Sequence, residues 1–115
     1  MTVSAWSYDQ MKANLNTKKV PVIVLFTMPK CIPCIHLKTI LEELSEDYKN
    51  RAIFGSMRAD EYLGNFPISS VPFLTINCMG STFEMFQGLV SKEMLAEKLD
   101  GAIEEMERLQ DGDST

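Results

Sequence analysis

The stretch Val20-Pro21-Val22-Ile23-Val24-Leu25-Phe26-Thr27-Met28-Pro29-Lys30-Cys31-Ile32-Pro33-Cys34 decides the reading of this chain. Its first part, 20–26, is apolar and mostly branched with no alternation, the pattern of a central parallel strand buried on both faces. Its second part opens a helix, because Cys34, Leu37, Leu41, Leu44 and Tyr48 recur at intervals of three and four residues on one face. A strand that delivers a Cys-x-x-Cys pair to a helix start suits redox thiol chemistry rather than a structural staple. The second sulfur lies one turn on, close enough to close a small ring with the first. The exposed amides of the helix N-terminus favour a thiolate on Cys31. Cys34, deeper on the apolar face, suits a resolving thiol, and Pro33 falls in the first turn, where its missing N–H is harmless.

Working outward, residues 2–6 read as a short strand, and Ser7 with Gln10 forms a capping-box pattern that predicts a helix over 8–16. Residues 52–57 read as a second central strand, joined to the first by a connection long enough for a right-handed crossover. A short helix is expected over 60–66. Residues 72–77 and 82–86 flank a turn containing Met79-Gly80 and predict an antiparallel hairpin. Ser91 then caps a final helix whose buried face is Leu95, Leu99, Ala102 and Met106. The order is β-α-β-α-β-α-β-β-α, an α/β domain over 1–110 with a disordered polar tail at 111–115.

At 115 residues the chain is long enough to bury a core without disulfide or metal support. A net charge of −5 argues against nucleic acid and anionic membranes as partners. No apolar run reaches transmembrane length, and Met1-Thr2-Val3-Ser4 lacks the basic and apolar start of a signal peptide, so a cytoplasmic protein is expected. In that reducing compartment a Cys-x-x-Cys is catalytic or metal-binding rather than structural. Of the 3 cysteines, Cys78 is left over and reads as a small turn residue; the 8 methionines read as flexible core filler. His36 lies off the apolar helix face and reads as a surface histidine. Trp6 reads as packing, and the acidic patches Glu42-Glu43, Glu46-Asp47, and Glu104-Glu105 with Glu107 read as solvated helix faces.

The element order and motifs resemble the thioredoxin family over about residues 3 to 108. The matching features are the apolar strand ending in Phe26, the dithiol Cys31-x-Pro33-Cys34, the Val71-Pro72 pair before the hairpin, and Gly88 before the last helix. The resemblance implies a thioredoxin-like fold with a mixed central sheet flanked by helices. It also implies a cis Val71–Pro72 bond set against the dithiol. The departures are specific. The family usually carries Trp-Cys-Gly-Pro-Cys, where this chain has Lys30 and Ile32 in the Trp and Gly places. The buried acid usual in the strand before the dithiol, and the lysine paired with it, correspond to Leu25 and Ser56. The proline common later in the dithiol helix is replaced by Thr39, which predicts a straighter helix.

The reading is a thiol–disulfide oxidoreductase that reduces protein disulfides, with Cys31 as nucleophile and Cys34 resolving the mixed disulfide. Ile32, Pro33, Val71, Pro72 and Gly88 form the substrate surface, and Val71 and Pro72 bind the substrate backbone by a strand-like contact. Lys30 either stabilises the Cys31 thiolate or is a solvated surface lysine. The resemblance implies disulfide-containing protein substrates, a thioredoxin-reductase-type electron donor, and a part in electron transport and cell redox homeostasis. No cofactor, metal, nucleic acid or membrane partner is expected, and the protein is read as a monomer. Three alternatives stay open. One is a non-catalytic binding subunit that docks a partner through the Ile32, Val71 and Gly88 surface. Another is a glutaredoxin-like protein, given Thr27-Met28-Pro29-Lys30-Cys31. The third is a metal or iron–sulfur site shared between two chains.

Overall fold

A computed structural model describes residues 3–17, 19–64 and 68–112. The elements are β1 (Val3–Ala5), α1 (Tyr8–Thr17), β2 (Val22–Thr27), α2 (Ile32–Asp47), β3 (Ile53–Arg58), β4 (Phe73–Cys78), β5 (Ser81–Gln87) and α3 (Lys92–Gly112), with a 3-10 turn at Ala59–Glu61. They form one five-stranded sheet in the order β1-β3-β2-β4-β5. β1 and β2 run parallel to β3, whereas β4 is antiparallel to both β2 and β5, so the sheet is mixed.

β2 lies at the centre because every residue from Val22 to Phe26 is apolar and can be buried on either face. Alternate side chains then serve two cores. Ile23 and Leu25 join Phe54, Leu74 and Ile76 under Leu37, Leu41 and Leu44 of α2 and Leu95, Leu99, Ala102 and Met106 of α3. Val22, Val24 and Phe26 join Met57 on the opposite face, under Met11 of α1. Burial of about a dozen large side chains, at roughly 1.5–3 kcal/mol each, is the main term holding the layers together.

Local signals start the helices. The Ser7 N–H donates to Gln10 Oε1 at 2.8 Å and the Gln10 N–H donates to Ser7 Oγ at 3.1 Å, a reciprocal box. The Met94 N–H donates to Ser91 Oγ at 3.1 Å. α2 is unbroken, with Thr39 exposed and its hydroxyl donating to the Ile35 carbonyl at 3.2 Å.

Several expectations need correction. The helix expected over 60–66 is only the turn Ala59–Glu61. Tyr62 leaves the helical path to place its ring edge-on to Phe26, 5.3 Å away, and to Tyr8, 5.9 Å away; 65–67 lie outside the described residues. α3 carries Asp111 and Gly112, two residues expected in the tail, and 113–115 lie outside the described residues. Cys78 is the last residue of β4 rather than a turn residue; it is buried and donates its S–H to the Ala102 carbonyl of α3 at 3.7 Å. The acidic residues of α2 are not merely solvated, since Glu43 and Asp47 both pair with Lys92 at 3.3 Å and Glu42 accepts from the Val3 N–H. Met11, Met57 and Met106 do fill cores, but Met79, Met85 and Met94 are exposed.

Trp6 packs against the α1 face. Its ring occupies the space where a β-carbon on Gly55 would lie, so only glycine fits at that point of β3.

Candidate active site at the C-terminal end of β2

β2 ends at Thr27, and Met28-Pro29-Lys30 turn the chain into α2. Lys30 takes φ of 64°, the left-handed region, which swings the backbone so that Cys31 becomes the N-cap of the helix. Cys31 is bonded to Cys34, with their Cα atoms 5.2 Å apart. Cys31 Sγ also accepts the Cys34 backbone N–H at 3.2 Å, the place an N-cap oxygen usually takes. The sulfur therefore sits among donors whose own carbonyl partners are missing, and a negative charge on it would be stabilised. The two thiols differ in access. Cys31 is half-buried, whereas Cys34 is 3% exposed on the face that packs inward. Ile32 is 62% exposed and Pro33 is exposed in the first turn, so both form the outer lip.

The register of β4 brings the second part of the site alongside. Phe26 pairs with Phe73, so Pro72, one residue earlier, lies at the end of the sheet where the dithiol loop begins. The Val71–Pro72 peptide bond is cis. Pro72 is buried and Val71 half-buried. The Pro72 carbonyl accepts the Gly88 N–H at 2.9 Å, and Gly88 takes φ of 87°, which a side chain would make strained. Pro72 and Gly88 are thus joined directly, and Cys31 and Cys34 are joined directly. Lys30 stands exposed beside Cys31. Cys78 lies at the far end of β4 from Phe73, about 17 Å along an extended strand, which removes it as a third ligand beside the dithiol.

Beneath the site, Leu25 and Ser56 are register partners across β2 and β3; Leu25 is 0% exposed and Ser56 8%. Tyr48, at the end of α2, donates its hydroxyl to Asp100 Oδ1 at 2.6 Å; burial first, then that carboxylate, push its pKa up to about 12. Burial, with a smaller contribution from Glu105, pushes the Cys78 thiol up to about 11.

One contact near the site has no signal in the sequence. Gln87, paired with Phe73 at the end of β5, donates from its side-chain amide to Ser69 Oγ at 3.4 Å and to Ser70 Oγ. A Gln at a strand end and two Ser in a loop read as solvated polar residues until the hairpin brings them together.

A family model described as thioredoxin matches residues 2–101. The chain is 36% identical over 89 residues to thioredoxin 2 of Chlorobaculum tepidum, covering 75% of this chain and 81% of that one. It is 33% identical over 82 residues to a thioredoxin of Chlorobaculum thiosulfatiphilum, covering 69% and 76%. With the thioredoxin of Buchnera aphidicola it shares 36% over 89 residues, covering 75% and 82%. A mixed sheet carrying a Cys-x-x-Cys disulfide at a helix start defines a thiol–disulfide oxidoreductase of the protein-disulfide class. The chain belongs to the thioredoxin family.

Proposed function

We propose that the protein reduces protein disulfides, with Cys31 as the attacking thiol and Cys34 as the resolving one. The observation that carries this is the unequal access of two bonded sulfurs at the N-terminus of α2. In the reduced protein the Cys31 thiolate attacks one sulfur of a substrate disulfide. A mixed disulfide forms, and the other substrate sulfur leaves as a thiolate that takes a proton from water. Cys34 then loses its proton and attacks Cys31 Sγ. The Cys31–Cys34 bond forms, the second substrate sulfur leaves, and two electrons have passed to the substrate. The intramolecular step is fast because the helix turn holds Cys34 within bonding reach.

Val71 and Pro72 receive the substrate as an extended segment beside the dithiol, with Ile32, Pro33 and Gly88 as its apolar rim. Pro72 has no N–H, which leaves the Val71 backbone as the natural pairing edge. Lys30 adds a modest, salt-screened attraction for the Cys31 thiolate. A thioredoxin-reductase-type donor returns the pair to the dithiol form, as a reducing compartment such as the cytoplasm requires, and the cycle thereby serves electron transport and redox homeostasis.

Reduction of insulin disulfides with dithiothreitol as donor tests this reading. Cys34→Ser should accumulate mixed disulfides with the substrate and Cys31→Ser should not. Failure of the unmodified protein to accelerate precipitation of the insulin chains would leave a docking module instead, and trapping by Cys31→Ser would reverse the roles.

A further inference from the structure

We infer that Gln87 is a positioning residue for substrate docking: its amide, bridging Ser69 and Ser70, holds the loop before Pro72 so that the Val71 backbone faces an incoming strand. This rests on the proposed role of Val71. β4 begins only at Phe73, so the ladder of the sheet does not order the chain from Ile68 to Pro72. Ile68 packs against the α1-side core, and among the described residues two ties across the β4–β5 hairpin hold the segment that follows it. One is the backbone bond from the Gly88 N–H to the Pro72 carbonyl, at 2.9 Å. The other is the side-chain bridge from Gln87 to Ser69 and Ser70. They come from adjacent residues of one strand end and grip the loop on either side of Val71.

The register makes Gln87 suited to this. It pairs with Phe73, so its side chain leaves the same face of the sheet as the Phe73 ring. A shorter residue there would not reach two hydroxyls, and a leucine fills much of the same space but has no group to donate. An extended substrate pairs with Val71 only if that backbone is already held open, because ordering a loop at the moment of binding subtracts from affinity. Gln87 and both serines are exposed, so water competes for their hydrogen bonds and the effect is one of degree.

The test compares Gln87→Leu, the Ser69→Ala/Ser70→Ala pair, the combination of all three, and Ser70→Thr, which keeps the hydroxyl. Three quantities are read: KM and kcat for insulin, the rate of reduction of a small aromatic disulfide with no peptide backbone, and 15N relaxation at Ser70 and Val71. Gln87→Leu and the serine pair should each raise the insulin KM about two- to tenfold, the span of one ordinary hydrogen bond. They should leave kcat and the small-disulfide rate unchanged and increase motion at Val71. The triple variant should be no worse than Gln87→Leu, and Ser70→Thr should behave as the unmodified protein. An unchanged insulin KM in Gln87→Leu overturns the inference, as does an equal loss with the small disulfide, which would mean a disturbed dithiol. Should the unmodified protein not reduce insulin at all, the reading of the site fails by itself. Relaxation at Val71 then decides the clamp, and no change there on Gln87→Leu overturns it.

Discussion

Leu25 and Ser56 sit opposite one another at the position where relatives of this chain are expected to carry an acid and a lysine. Leucine at this position supplies no carboxylate, so in the proposed cycle Cys34 gives up its proton to water or to the departing substrate thiolate. Leu25→Asp alone should cost on the order of 3–5 kcal/mol, since it removes a fully buried side chain and buries a carboxyl. Burial raises the pKa of such an acid, so the folded state binds its proton more tightly than the unfolded chain does. Stability of the variant should fall as pH rises above about 4, checked by urea midpoints at pH 4 and pH 8. Adding Ser56→Lys should recover part of the loss at neutral pH, and single-turnover measurements should show faster resolution of the mixed disulfide. A folded double variant with unchanged resolution would remove the missing-base account. At this scale legibility followed sequence distance. The partners in the Ser7/Gln10 box and the Ser91 cap lie within one turn and could be read directly. Gln87 could not, because its serines are 18 and 17 residues away and meet it only through the hairpin.

The hairpin shows the same division among elements. Met79 and Gly80 join Cys78 to Ser81 with φ of 52° and 84°, and positive φ at both central residues is the geometry of a type I′ turn. Glycine accepts this freely, whereas methionine does so against its preference, and Met79 is 50% exposed with little packing to lose. Met79→Asn should stabilise the protein by roughly 0.5–1 kcal/mol, seen as a higher urea midpoint with unchanged slope. A neutral or negative effect would mean that the thioether makes contacts worth more than the relieved backbone. The pattern of α2 was legible because five apolar positions recur on one helical face, and Cys34, Leu37, Leu41, Leu44 and Tyr48 are all buried. The turn at Ala59–Glu61 was not, because its end is set by where Tyr62 finds Phe26 and Tyr8, and those rings come from β2 and α1.

For the whole molecule, part of the attachment of α3 runs through titratable groups. The Cys78 thiol ties β4 to Ala102, and the Tyr48 hydroxyl ties α2 to Asp100 and to the Ala96 carbonyl at 3.3 Å. Burial, the larger cause in each case, raises both folded-state pKa values, from 9.0 to about 11 for Cys78 and from 10.0 to about 12 for Tyr48. The unfolded chain then releases these protons first, and stability should decline as pH rises from about 9 to 12 and level off beyond. Urea unfolding across that range checks it: Cys78→Ala should flatten the lower part of the decline and Tyr48→Phe the upper part. Unchanged slopes in both variants would place the alkaline weakness elsewhere. The layered fold was legible in the order of elements, but local pattern alone could not give the position of β4 beside β2, which sets Pro72 at the end of the sheet where the dithiol loop begins. That pairing spans distant parts of the chain and came through family resemblance. The place of Trp6 has a practical side. The single tryptophan lies over Gly55 on the α1 face, whereas the helix that carries the cysteines packs against the opposite face of the sheet. A disulfide quenches indole emission only at close contact. The fluorescence of this protein should therefore follow unfolding while remaining the same before and after reduction, leaving experimenters an optical gauge of structure that is blind to the redox state.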